Sequence, residues 1–108
     1  MATRKRPSPF EALGDGTRRA ILKRLRRGSL AAGEIAAFFP QLTKPTLSHH
    51  FAVLKAAGLV RAERQGTRIV YTLQTNVLED LAAELLELTS NVGTGRVRGE
   101  TSPKGQSS

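Results

Sequence analysis

The side chains best suited to chemistry lie in residues 43–58, which have the sequence TKPTLSHHFAVLKAAG. The stretch carries hydroxyl, imidazole and ammonium groups and no carboxylate. Hydroxyl and imidazole groups can hydrogen-bond to base edges, and lysine ammonium groups can neutralise phosphates. The composition therefore favours nucleic-acid recognition, although a core helix that is poor in charge would look similar when taken alone.

The same sequence lacks the residue sets that catalysis and metal binding need. It contains no G-x-S-x-G, phosphate-loop or H-E-x-x-H motif, and it has no cysteine. Zinc takes about four donors, whereas His49 and His50 are adjacent and point about 100° apart on a helix. The acidic residues from Glu79 to Glu87 are better explained as a solvent face than as a cation site. We therefore expect no enzyme activity, no metal and no cofactor.

Residues 43–58 are predicted to form one helix with two faces. Thr43 is a suitable N-cap, and Gly58 can end the helix in the left-handed conformation. An apolar stripe at helical spacing is formed by Leu47, Phe51 and Leu54. The outer face is small and polar, a composition that suits close entry into a major groove, and it is formed by Pro45, Thr46, Ser48, His49, Ala52 and Ala56. His50 lies nearer the stripe.

The preceding segments complete a helix-turn-helix pattern. Short helices are predicted over residues 10–13 and 30–39, and a basic helix capped by Asp15 is predicted over residues 17–27. The three-residue turn 40–42 then leads into the polar-faced helix, as in helix-turn-helix proteins. Pro7 and Pro9 are expected to keep the N-terminus out of a helix.

Two β-rich runs, residues 59–64 and 68–73, surround a glycine turn and predict a β-hairpin. Its buried face is expected to contain Val60, Ala62, Ile69 and Tyr71. A basic tip with Arg64, Gln65 and Arg68 is typical of a wing that contacts DNA. Taken alone, Arg64 and Arg68 would be better explained by ordinary solvent exposure, but their place after a helix-turn-helix favours the contact.

The last predicted helix covers residues 77–89, with Asn76 as its N-cap. Leucines at positions 78, 81, 85 and 88 form a packing seam that closes the monomer core or pairs with a second copy, and the dimer is the favoured interpretation. The expected domain organisation is a disordered basic arm at 1–8, a winged helix-turn-helix domain at 9–89 and a disordered tail at 90–108.

The charge distribution indicates a polyanionic partner. The formal net charge is +8, and it is uneven: residues 43–68 are basic, while residues 77–89 carry four acids and no base. No stretch of 18 apolar residues is present, and the basic N-terminus is not followed by an apolar signal region. We therefore expect no membrane partner.

Residues 10–88 resemble the ArsR/SmtB family of winged helix-turn-helix repressors, and within it most closely the SdpR-type autorepressor branch. The resemblance rests on FEALGDGTRRAIL at 10–22, AGEIA at 32–36, KPTLSHHFAVLKAAGLV at 44–60, RQGTRIVYTL at 64–73 and NVLED at 76–80. Gly16 and Ala31 depart from the common family pattern, where proline and threonine are frequent. The cysteines or Asp and His pairs of the metal-sensing members are missing.

The resemblance implies a bacterial, cytoplasmic homodimer that binds inverted repeats and is nucleoid-associated when bound. It also implies a dimer through the first and last helices, for which the candidate residues are Phe10, Leu13, Leu78, Leu81, Leu85 and Leu88. The expected fold is mainly α with a small β-hairpin (α+β), in the order α-α-α-α-β-β-α.

The predicted function is sequence-specific binding of double-stranded DNA by a repressor or autorepressor that does not sense metal. The candidate DNA-binding residues are Thr43, Lys44, Thr46, Ser48, His49, His50, Lys55, Arg64, Gln65 and Arg68. Two alternatives stay open: a repressor of the same fold that responds to a small ligand, and a winged helix that binds proteins. The sequence itself offers no obvious effector site.

Overall fold

The computed structural model describes residues 6–93, with side-chain surroundings up to Ser90. Residues 1–5 of the expected basic arm and residues 94–108 of the expected tail lie outside the described part. Residues up to Leu78 form one compact unit, and the residues from Glu79 onward belong to a second. None of the helices in the described range is long and apolar enough to cross a membrane.

The elements confirm the predicted winged helix-turn-helix order and add one short strand. They are α1 (Pro9–Ala12), α2 (Gly16–Leu25), β1 (Leu30–Ala31), α3 (Ala32–Ala36), α4 (Lys44–Ala56), β2 (Val60–Gln65), β3 (Arg68–Leu73) and α5 (Thr75–Gly93).

Helix α1 begins earlier than the sequence analysis predicted. Ser8 Oγ accepts the Glu11 backbone N–H at 3.1 Å, and the Glu11 carboxylate accepts the Ser8 N–H at 2.7 Å. Pro9 occupies the first turn, where its missing N–H leaves no intrahelical bond unmade. The expectation that Pro9 discourages a helix was therefore wrong, because this capping box starts the helix at the proline.

The stretch from Leu30 to Phe39 is not one helix as predicted. Leu30 and Ala31 are extended and pair with Tyr71 and Val70 of β3, so the sheet has three strands in the order β1-β3-β2. Helix α3 occupies only Ala32–Ala36. Phe38, near the end of this stretch, is 45% exposed. The helix starts two residues late because Leu30 and Ala31 are used in the sheet, and it ends in a turn after Ala36.

Helix α4 has the predicted cap, stop and apolar stripe. Thr43 accepts the Thr46 backbone N–H at 3.3 Å, and Gly58 follows the helix with a φ of 80°. Leu47, Phe51 and Leu54 are all buried. This stripe holds α4 in the core and leaves the opposite face outside.

The hairpin pairs Gln65 with Arg68 around a turn formed by Gly66 and Thr67. Its predicted inner face is present in the observed register, because Ala62 lies opposite Tyr71 and Val60 opposite Leu73 on the same side. The Tyr71 ring packs on Phe51 of α4 with 4.5 Å between centroids. This contact joins the base of the wing to the buried side of α4.

Helix α5 is longer than predicted at both ends, and Asn76 lies inside it instead of capping it. Along its leucine seam, Leu81 is buried while Leu85 and Leu88 are 49% and 66% exposed. The helix therefore retains a solvent-facing apolar surface, to which the 66% exposed Leu86 also belongs.

The two glycines at positions 58 and 33 are predicted to respond oppositely to alanine. Gly58→Ala should lower the unfolding free energy by roughly 1 to 2 kcal/mol, because a Cβ is disfavoured at positive φ even where space is open. Gly33→Ala should raise it by about 0.5 to 1 kcal/mol, because Gly33 lies in α3 with open space around it. Urea unfolding of both variants measures the difference, and an equal effect at the two positions would contradict it.

Candidate nucleic-acid interface

The outer face of α4 is exposed and carries no carboxylate. Thr46, Ser48 and His49 all lie in solvent, and so do Lys44 at the start of the helix and Lys55 near its end. These positions alternate with the buried Leu47, His50 and Phe51, as one turn of an amphipathic helix requires. The structure thus displays hydroxyl and imidazole groups between two lysines.

The hydroxyl of Thr46 is oriented by its neighbour. Thr43 Oγ1 donates to Thr46 Oγ1 at 2.9 Å while it accepts the Thr46 backbone N–H. Because the Thr46 oxygen already accepts one bond, its own proton remains available to an acceptor outside the protein. Thr43 thus caps the helix and fixes Thr46 at the exposed surface.

His50 was predicted to contact DNA, but its side chain is buried. It is 9% exposed, and its Nδ1 lies 3.3 Å from Arg18 Nη1 and 3.9 Å from Asp15 Oδ2. Its helical position turns it toward α2, whereas the neighbouring His49 remains exposed. We therefore remove His50 from the candidate contacts and assign it to the support of α4.

Arg18 makes contacts that the sequence did not predict, because in the sequence it is only one cation of the basic helix. Its Nε donates to the Ala12 carbonyl at 2.7 Å and its Nη2 to the Glu11 carbonyl at 3.4 Å. Its backbone N–H donates to Asp15 Oδ2 at 3.0 Å. One guanidinium therefore hydrogen-bonds to carbonyl groups at the end of α1 and lies within hydrogen-bonding distance of His50 on α4. A local periodicity gives no signal for such contacts.

Burial favours the neutral form of His50. Burial lowers the pKa of His50 most, the Arg18 and His49 charges lower it further, and Asp15 opposes them. A neutral imidazole can accept the Arg18 N–H at Nδ1, which leaves its proton on Nε2. Asp15 itself has a lowered pKa, chiefly because its carboxylate accepts the Arg18 backbone N–H.

The wing places its polar tip in solvent, with Arg64, Gln65 and Arg68 all exposed. Arg68 Nη2 pairs with Glu34 Oε1 at 3.2 Å, and the same oxygen accepts the Ala31 N–H at 2.8 Å. Glu34 thus joins the start of α3 to the wing. Both side chains of the pair are more than half exposed, so Arg68 can exchange this partner for another at little cost.

The residues of the predicted dimer surface differ in exposure. In the predicted dimer surface, Phe10 is 43% exposed, Leu13 and Leu78 are half-buried, and Leu81 is already buried. Among residues 6–93, no group of three or more histidine or carboxylate side chains could hold a metal ion.

Known proteins resemble this chain over most of its length. Residues 13–63 match the family described as "Helix-turn-helix domain". The chain is 45% identical over 71 residues to the transcriptional repressor SdpR of Bacillus subtilis, a match that covers 66% of this chain and 78% of SdpR. It is 43% identical over 96 residues to the HTH-type transcriptional regulator Rv2034 of Mycobacterium tuberculosis, covering 88% and 89% of the two chains. A crystal structure of an ArsR family transcriptional regulator superposes with a TM-score of 0.70 at 32% identity, covering 75% and 88%.

The buried histidine predicts a loss of stability in mild acid. Below the ordinary histidine pKa of 6.5 the unfolded chain binds a proton that folded His50 resists, so the unfolding free energy falls as the pH falls toward the lowered pKa. Urea unfolding at pH 7.5 and 5.5 should show this decrease in the wild type and a smaller one in His50→Gln. The exposed His49→Gln is the matched control. An equal pH dependence in wild type and His50→Gln would contradict the assignment.

Proposed function

Because this chain belongs to the ArsR family of winged helix-turn-helix transcriptional repressors, whose members bind double-stranded DNA, we propose that it is an autorepressor acting as a homodimer on an inverted-repeat operator. The observation that carries this proposal is the exposed, carboxylate-free face of α4 between Lys44 and Lys55. Its relatives are regulators and the family is not one of enzymes. The protein would act in the bacterial cytoplasm, and on the nucleoid when bound.

The exposed residues divide into two roles. Thr46, Ser48 and His49 would read base edges in the major groove, since their short polar groups lie on the outer face of α4. The phosphates would be contacted by Lys44 and Lys55 around α4 and by Arg64, Gln65 and Arg68 of the wing. Thr43, whose hydroxyl proton is donated to Thr46, would orient that residue. Occupation of a promoter by these contacts would block RNA polymerase.

The proposed dimer is supported by apolar exposure. Leu85 and Leu88 on α5 and Phe10 on α1 are large side chains that a single chain leaves more than 40% exposed. Covering such side chains with a second copy removes apolar surface from water. A two-fold dimer would also present the α4 helix of each copy to one half of an inverted repeat.

Metal-independent repression is supported by the donor chemistry of the chain. It has no cysteine, and its two histidines are adjacent on α4. One of them is buried against Arg18, a cation that disfavours a metal ion beside it. We propose that zinc does not control the DNA affinity.

Fluorescence anisotropy with the protein's own upstream DNA and a scrambled duplex tests the proposal. Tight binding that prefers the upstream DNA, weakens steeply with salt and ignores zinc or chelator would support it. Weak and equal binding to both duplexes would contradict sequence-specific autorepression. A large zinc effect would contradict metal independence alone.

The two contact roles predict different mutant behaviour. His49→Ala should reduce the preference for upstream over scrambled DNA by roughly 1 to 3 kcal/mol, as expected for a lost base contact. Lys55→Ala should weaken binding to both duplexes equally and reduce the slope of log affinity against log salt by about 2, because the dimer loses one phosphate contact from each copy. Salt titrations of both variants on both duplexes measure the two effects. Identical behaviour of the two variants would contradict the division of roles.

The dimer surface predicts a variant that separates association from folding. Leu88→Glu should shift sedimentation toward the monomer, because it places a charge on an apolar surface that a partner would cover. The variant should remain folded as a monomer, as circular dichroism would show, since the side chain is already 66% exposed within one chain. Glu87→Gln, at the neighbouring position, is the control. A Leu88→Glu protein that sediments as the wild type would contradict the role of Leu88.

A further inference from the structure

An open cleft of about 670 Å³ lies beside the end of α2 and shares no residue with the proposed DNA contacts. Its lining combines four cationic side chains with apolar ones, and consists of Ala20, Lys23, Arg24, Arg26, Arg27, Leu30 and Phe38. Ala20 and Arg24 are four residues apart in α2 and share one face of that helix, and Arg27 follows in the turn after it. The volume falls within the range of about 300 to 1,000 Å³ that is typical of small-molecule sites.

The cations of the cleft lack acidic partners. No carboxylate lines the cleft, and within the part of the chain that the structure describes none of the four cations forms an ion pair. Their position near the C-terminus of α2 is favourable toward the helix dipole. The dipole does not explain why apolar side chains line the same cleft. A group of like charges around a concave surface attracts an anion.

Phe38 supplies an exposed aromatic surface in this cleft. Its side chain is 45% exposed, and the Arg24 guanidinium lies 4.0 Å from the ring centroid. A guanidinium stacked on a ring keeps the N–H groups at its edges available for a carboxylate. Arg24 can therefore bind an anionic head while Phe38 and the half-buried Leu30 contact an apolar body.

We propose that this cleft binds a small organic anion with an aromatic or other apolar body and a carboxylate head. Arg24 and Arg27 bind the head, and Phe38 and Leu30 contact the body. A neutral apolar molecule would leave the four cations of the cleft unpaired, and a small hydrophilic anion would leave the apolar side chains of the cleft in water. The inference goes beyond DNA binding and does not depend on it.

Calorimetric titration of the full-length chain with naphthoate tests the site. Naphthalenemethanol is the probe without the charge, and acetate is the probe without the apolar body. Naphthoate should bind saturably at one molecule per chain, and both other probes should bind at least about tenfold more weakly. Equal binding of naphthoate and the neutral alcohol would overturn the ionic part of the proposal. Undetectable naphthoate binding would overturn the site.

Three variants locate the binding. Arg24→Ala and Arg27→Ala should each weaken naphthoate about tenfold, and Phe38→Ala should also weaken it. Arg61→Ala removes the same charge from β2, outside both the cleft and the DNA-contacting set, and should leave the affinity unchanged. Equal weakening by Arg61→Ala would show attraction by overall charge only and would overturn the site. Circular dichroism of each variant confirms that it is folded.

DNA binding by the same variants separates this inference from the proposed function. If Arg24→Ala and Arg27→Ala weaken DNA binding while naphthoate does not bind the wild type, the cations contact phosphates and the ligand site is wrong. If the wild type binds naphthoate at the cleft but does not prefer its upstream DNA, the proposed function fails and the ligand site stands.

Discussion

The placement of α4 depends on the guanidinium of Arg18. It donates to carbonyls at the end of α1 and meets the buried imidazole of His50 in the middle of α4. Asp15 completes the cluster by capping α2 through the Arg18 backbone N–H. Three helices therefore meet at one polar cluster. Its hydrogen bonds fix an orientation, which apolar contacts alone specify less precisely because they are not directional.

The two faces of α4 follow from this support. Leu47, Phe51 and Leu54 give the burial that holds the helix, and His50 gives it a polar contact on the same inner side. The side chains on the outer side therefore do not hold α4 in place, apart from Thr43, which caps its start. Thr43 links the two roles, because the hydroxyl that starts the helix also orients Thr46 at the surface.

The sequence predicted the features that depend on neighbouring residues and missed those that depend on distant ones. The bounds of α4 follow from Thr43 and Gly58, which act within one helical turn. The strand at Leu30 was missed, because only its partner Tyr71, far along the chain, makes those two residues extended. His50 was correctly placed near the apolar stripe, but its partner Arg18 is 32 residues away and no periodicity connects them.

The order β1-β3-β2 determines which backbone groups the sheet leaves open to other chains. The central strand β3 is hydrogen-bonded on both sides around Val70 and Tyr71, so it offers no free edge there. The remaining long edge belongs to β2, where Arg61, Glu63 and Arg64 are exposed. Charged side chains along an edge disfavour the addition of a further strand. Copies of the chain that come close together are thereby discouraged from joining edge to edge and aggregating through their sheets.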